Sequence, residues 1–440
     1  MNMDTKDRWA CTAIVLGWAG CVALAWWALY YYGTSILTGR DAWWILLVIV
    51  ACLGLLVTWG VVSIMKAVRQ STEVRSATTR GKVSKVVLAT LSLLLLVGGA
   101  STWIMTGVEY YTIKGNYDRV HAMLLDPSWT VNANRTARRE GISGVMADYD
   151  LEPRMGDAGP GADARVNVTA LVRDCEDLGV NCYHFLIWHR STDWDDFQSF
   201  VIAAENSTTL KARGFTCWLY LVPPSEADPA PSMPYGLDFI AWMDHAANFS
   251  RLHPVVTAVC IDDFYAAKEN QAKFTPEYLQ AMRAAADTYD PTLAIVTCLY
   301  WPDVDPGNQL NAWGEAASIA PFIDGILYPY MDQSQHFMNH AYTGSMPAEI
   351  QAVHDLYPGV PAILDIYVTK NTACAEKPNA TYVGSLLDEA RTSCEGVALY
   401  CGPLKLSNGS FGSWTSGMDG PASIYMAIKS RFTAWTLTGW

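Results

Sequence analysis

Two adjacent carboxylates close an apolar run near the middle of this chain. Val255-Val256-Thr257-Ala258-Val259-Cys260 leads directly into Ile261-Asp262-Asp263-Phe264. Like charges that close raise each other's pKa, and burial at a strand end raises them further. Folds keep such pairs where carboxylates move protons, so Asp262 and Asp263 are the candidate catalytic residues. Other apolar runs end in a similar way, with an aromatic side chain close to an acid or base. The endings are Asp148-Tyr149-Asp150, Trp188-His189-Arg190, Tyr220 before Pro223-Pro224-Ser225-Glu226, Tyr300-Trp301-Pro302-Asp303, Tyr328-Pro329-Tyr330-Met331-Asp332, Asp365 with Tyr367, and Tyr400. Aromatic faces pack on the C–H faces of sugar rings, while carboxylates and imidazoles bind hydroxyls and transfer protons, so the matching chemistry is that of carbohydrate. The candidate binding residues are Asp148, Asp150, Trp188, His189, Tyr220, Tyr265, Trp301, Tyr328, Tyr330, Asp365, Tyr367 and Tyr400. Any one of these aromatics alone is more simply a cap on a core, and His184 is more simply an interior histidine.

The elements that must position these residues alternate. The pattern predicts strands over 142–147, 181–188, 215–221, 255–261, 293–299, 323–328, 362–366 and 396–400. Helical patterns separate and follow them, near 164–178, 193–213, 235–251, 276–289, 313–320, 347–356, 382–392 and 421–435. Parallel strands joined by crossover helices have this signature, and eight such units over ~300 residues match a (β/α)8 TIM barrel. Chemistry in that barrel sits at the C-terminal ends of the strands, which is where the acids and aromatics fall. A doubly wound sheet would not need eight units, and no Gly-rich dinucleotide loop follows any strand.

The strand-four ending, apolar-Asp-Asp-apolar, resembles the Asp-Asp pair of the family 84 β-N-acetylglucosaminidases, which are (β/α)8 glycoside hydrolases. The resemblance covers one motif. It implies that Asp262 orients and polarises a substrate 2-acetamido group acting as nucleophile, and that Asp263 is the general acid/base. Tyr183-His184-Phe185-Leu186-Ile187-Trp188-His189 and Tyr220-Leu221-Val222-Pro223-Pro224-Ser225 are similar to segments of glycoside-hydrolase-like barrels more widely. Tyr330-Met331-Asp332 is similar to the strand-six motif of chitinase-type barrels, whose strand-four Asp/Glu series is missing here.

The first quarter of the chain has a different composition. Three apolar runs, 10–32, 42–65 and 86–108, are each long enough to cross a bilayer and lack internal charge. The loop between the second and third carries Lys66, Arg69, Arg75, Arg80, Lys82 and Lys85 against Glu73. The positive-inside rule then places the N-terminus in the cytoplasm and everything after the third span outside. Residues 1–108 carry nine basic and four acidic side chains, and the remainder carries 21 and 39. That acidic exterior excludes a nucleic-acid partner. Six Asn-X-Ser/Thr sequons, at Asn134, Asn167, Asn206, Asn248, Asn379 and Asn408, all follow the third span and suit N-glycosylation. Of 11 cysteines, Cys374 and Cys401 follow the last two strands on one rim and are the preferred disulfide. Cys175 and Cys182 are a second possible pair. No Cys/His spacing fits a zinc site, and neither metal nor organic cofactor is expected.

The chain is therefore read as a three-span anchor (1–108), a tether (109–139) and an extracytoplasmic barrel (140–440). The expected protein is a glycoside-hydrolase-like enzyme of the plasma membrane acting on an external glycan. Small residues in the spans leave room for homo-oligomer or envelope assembly. The alternative is a non-catalytic glycan-binding or structural envelope module.

Overall fold

The computed structural model describes residues 106–126, 133–149, 152–153, 165–188, 190–228, 230–335, 338–371, 374–400 and 417–438. The expected membrane spans lie outside them except for 106–108. Among the described residues no helix is long and apolar enough to cross a membrane.

Eight parallel strands close into one barrel in sequence order. They are β1 (Met146–Tyr149), β2 (Cys182–Ile187), β3 (Thr216–Leu221), β4 (Val256–Ile261), β5 (Ala294–Cys298), β6 (Gly325–Tyr330), β7 (Ala362–Tyr367) and β8 (Gly396–Tyr400). Buried on both faces, these strands read in sequence as near-continuous apolar runs rather than alternating ones. Alternation nevertheless decides where each side chain goes. Ala147, Tyr149, Cys182, Leu186, Trp218, Tyr220, Ala258, Cys260, Ala294, Val296, Leu327, Ile363 and Ala398 fill the barrel interior. Their neighbours along each strand, among them Met146, Tyr183, Phe185, Val259, Ile295, Tyr328 and Leu364, pack outward against the helices in a second, larger core.

The floor at the N-terminal end is tightly set. Ile142 is fully buried among the interior residues. A Cβ on Gly325 would stand 2.4 Å from its Cδ1, so any larger residue at the start of β6 would displace the Ile142 side chain. Below it the helix Ala133–Glu140 is tied in by Arg138, whose Nε donates to Asp324 Oδ1 at 2.6 Å.

The stretch read from sequence as a tether contains ordered structure. Residues 106–124 are helical. Val120 and Leu124 are buried in the helix-layer core, and Tyr117 stacks on Trp313 with ring centroids 5.7 Å apart. The contiguous compact unit begins at Trp103.

The cysteine expectations are corrected. Cys175 and Cys182 are both buried free thiols. Cys175 lies in the helix-layer core and Cys182 in the barrel interior, so the wall of the barrel separates them. Cys374 is also a free thiol, so the expected bridge from it is not formed; Cys401 lies outside the described residues. Of the sequons, Asn134, Asn206 and Asn248 are exposed. Asn167 and Asn379 instead use their side chains to cap helix N-termini, and Asn408 lies outside the described residues.

Candidate active site

A cavity of about 180 Å³ opens at the C-terminal end of the barrel. Its walls are Tyr220, Glu226, Asp262, Asp263, Cys298, Tyr300, Pro329, Asp365, Tyr367, Asn371 and Tyr400. Four of these side chains are carboxylic acids. None of the described residues lining the cavity is a lysine, arginine or histidine.

The Asp pair owes its placement to a turn. β4 ends at Ile261, and simple alternation would send Asp262 inward and Asp263 out. Asp263 has φ +39°, in the left-handed region that costs a non-glycine residue about 1–3 kcal/mol. That turn brings both side chains to the cavity. Three hydrogen bonds hold it: Asp263 N donates to Asp262 Oδ1 at 2.9 Å, Asn270 Nδ2 to Asp263 O at 2.7 Å, and Phe264 N to Cys298 O at 3.1 Å. Asn270 is itself fully buried and locked to Ser225 by a reciprocal pair of 2.9 Å bonds. The segment after β3 is thereby fixed to the turn after β4.

The electrostatics run one way. Burial, then the charge of Asp263, then that of Glu226 push the Asp262 carboxyl far above the usual carboxylate range, only partly offset by a hydrogen bond from Tyr220. Glu226, half-buried after β3, is pushed up to about 7 by burial and by Asp263. Asp365 is pushed up to about 8 by burial alone. It is 3% exposed, and its Oδ1 has no hydrogen-bond partner. Asp263 acts on both neighbours as a negative charge and accepts a 2.5 Å hydrogen bond from Tyr300 Oη. The site thus gathers carboxyl groups of raised proton affinity around the Asp263 turn.

Opposite the acids runs an arc of tyrosines. Tyr149, Tyr400 and Tyr367 are register partners on β1, β8 and β7. Their rings follow at 5.3 Å and 4.7 Å, and Tyr149 stacks on Tyr220 at 4.6 Å. Trp188 sits on the rim, its Nε1 donating to Glu226 O at 3.2 Å. Behind the arc, buried His340 accepts a hydrogen bond from Asn371 N at 3.1 Å and packs on Tyr367. Burial lowers its pKa to about 4, so it braces the wall as a neutral ring.

Oxygen and sulfur atoms of Asp262, Asp263 and Cys298 lie within 4.8 Å of one another, a spacing that can hold a cation. The donor set does not fit one. Tyrosine hydroxyls already donate to both carboxyls. Burial keeps the Cys298 thiol and the Asp262 carboxyl protonated.

Several sequence candidates lie elsewhere. Asp148 faces outward because Tyr149 takes the inward position, and it is buried in the helix layer beside Cys175. Tyr328 and Tyr330 also face out and donate to Glu349 Oε2 and Tyr342 O, leaving Pro329 to line the cavity. Tyr265 packs among Phe264 and Phe274 in the helix-layer core. Trp301 packs on the same core and leaves the site to Tyr300. Asp332 is a buried structural acceptor for Ser345 and Asn339. His184 is the interior histidine expected, stacked on Trp218 at 4.2 Å. It is uncharged, with its pKa lowered by burial to about 3. Asp150 and His189 lie outside the described residues. Glu226, Tyr300, Pro329 and Tyr149 stand in the strand endings read from sequence but not among the chosen candidates, and Cys298 and Asn371 stand in neither. The inward parity of Ala294, Val296 and Cys298 on β5 would have pointed to Tyr300.

No family model matches this chain, and no curated protein does. Several solved structures are similar. The catalytic domain of a chitinase from Pyrococcus furiosus matches at 11% identity and TM-score 0.45, over 67% of this chain and 96% of the other. An endo-β-1,4-mannanase from Thermotoga petrophila matches at 10% and 0.42, over 62% and 74%. A GH5-4 endoglucanase from Clostridium longisporum matches at 8% and 0.42, over 68% and 98%. What this cavity can do chemically follows from its own side chains.

Proposed function

We propose that the cavity is the active site of a glycoside hydrolase that cleaves an external glycan by carboxylate acid/base catalysis. One observation carries this reading. Asp263, held by Tyr300, stands beside two carboxyls of raised proton affinity, Asp262 and Glu226, in a pocket walled by tyrosines. Strongly perturbed acids gathered in a cleft at the catalytic end of a barrel mark proton-transfer chemistry.

Glu226 reaches solvent and titrates near neutrality, so it suits the general acid. It gives its proton to the glycosidic oxygen as the C1–O bond breaks and the leaving sugar departs as an alcohol. Asp263, aimed by its turn and by Tyr300, stabilises the positive charge developing at C1. A water then adds hydroxide to C1 and returns its proton to Glu226. Asp262 stays neutral beneath Asp263, which lets the two sit side by side. The tyrosine arc supplies faces for the ring. Because the site contains its own carboxylates, a substrate 2-acetamido nucleophile of the family 84 type is not required. The hydropathy and loop charges of residues 1–108 support anchoring of this domain to the outer face of a membrane.

The test is hydrolysis of aryl glycosides by the full-length chain in detergent, over a panel that includes glucosides, mannosides, glucosaminides and N-acetylglucosaminides. Turnover on any member, reduced about 100-fold or more by Asp263→Asn and by Glu226→Gln, supports the proposal. A folded chain with no turnover on the panel, or turnover indifferent to both substitutions, overturns it and leaves a glycan-binding module.

A further inference from the structure

The acids of the cavity outnumber what hydrolysis needs. Two carboxyl groups are enough to cleave a glycoside, and four line this pocket with no cationic side chain among the described lining residues. The fourth, Asp365, points inward from β7. Its Oδ1 is buried and has no partner. Its charge would act on the Cys260 and Cys298 thiols and the Tyr367 hydroxyl. A buried carboxyl without a hydrogen bond is costly, and nothing in the barrel repays it. A ligand that brought a cation would repay it by pairing with the ionised carboxyl.

We propose that the sugar ring bound here carries a free, protonated amine, that is, a hexosamine that is not N-acetylated, and that Asp365 receives its ammonium group. The inference rests on the glycan reading of the cavity given above. An ammonium offers three N–H donors to acceptors that face the pocket. A neutral hexose brings donors without charge. An N-acetylated ring loses the charge and adds bulk in a space of about 180 Å³. A uronic acid would add a fifth carboxyl group to the four and bring no cation to pair with them.

The test is calorimetric titration of the full-length chain with D-glucosamine, D-galactosamine and D-mannosamine. Each is set against its parent hexose and its N-acetyl derivative, in low salt at a pH where the amine is charged. At least one hexosamine is expected to bind about tenfold or more tighter than both counterparts. Asp365→Asn, which keeps the side-chain shape, is expected to abolish that preference, each amine then binding within about threefold of its parent hexose. The wild-type comparison needs no variant and stands if the substituted protein fails to fold. No preference for any of the three amines overturns the inference, and so does a preference that survives Asp365→Asn. Turnover of neutral glycosides without amine preference leaves the hydrolase reading intact and removes only this one. Amine-selective binding without any turnover does the reverse.

Discussion

Asp365→Asn should make the barrel more stable, and increasingly so as the pH rises. The carboxyl titrates at about 8 in the fold, against 3.8 without burial. Below 3.8 both folded and unfolded chains hold the proton, and the group does not affect stability. Between the two values the unfolded chain ionises while the folded one does not, so wild-type stability falls as pH rises. The slope is about 1.4 kcal/mol per unit. Over the roughly three units from 3.8 to pH 7 the wild type forfeits up to about 4 kcal/mol. Asparagine never ionises and escapes this loss, although a buried amide without partners returns about 1–3 kcal/mol of it. The net gain at pH 7 is then about 1–3 kcal/mol. The pH dependence of the difference is the firmer quantity, because the cost of the amide does not change with pH. Urea unfolding of wild type and variant, followed by tryptophan fluorescence at half-unit steps from pH 4 to 9, measures it. The gap between the midpoints should open steadily from pH 4 and level off above pH 8. A gap that is flat with pH would refute the claim that burial holds this carboxyl neutral, and one that closes would invert its sign.

Two further outcomes follow from the same side chains. Glu226 must be protonated to act as an acid and titrates at about 7, so kcat/KM should fall as pH rises through 7, and Glu226→Gln should erase that limb along with most of kcat. At the other end of the barrel, Asp324 is a buried anion shared by Arg138 at 2.6 Å and Arg283 at 3.3 Å. Asp324→Asn should cost about 3–5 kcal/mol of stability, read as a lowered urea midpoint, with the pH profile of any turnover unchanged.

The barrel was legible in the sequence because strands covered on both faces leave unbroken apolar runs, and all eight lie within a few residues of where those runs fall. Only β1 begins late, since 142–145 form the turn that seals the floor. The site was legible by residue type and much less by direction. Asp148 against Tyr149, Trp301 against Tyr300, and Tyr328 and Tyr330 against Pro329 are each an error of one position. A one-residue slip on a strand moves a side chain from the cavity to the helix layer. The small residues Ala147, Ala258, Ala294, Gly325 and Ala398, which taper the interior, carry the parity that would have corrected most of these. Asp263 is the instructive exception, because parity alone would have rejected it. The left-handed turn that brings it into the cavity depends on Asn270 and Ser225, neither of which any spacing rule joins to it.

The same physical terms make the site expensive and make it specific. Asp263 stores backbone strain and raises the proton affinity of both Asp262 and Glu226, and the Asp365 Oδ1 is buried without a partner. The acids come from β4, β7 and the segment after β3, so only closure of the barrel brings them together. Strain of this kind persists only where the surrounding structure over-determines it. Here the Asn270–Ser225 lock and the His340 brace do so from outside the cavity. A ligand with a proton to accept and a positive charge to place would offset the electrostatic part of these costs. That is why the excess acid is better explained by what binds than by what holds the barrel together.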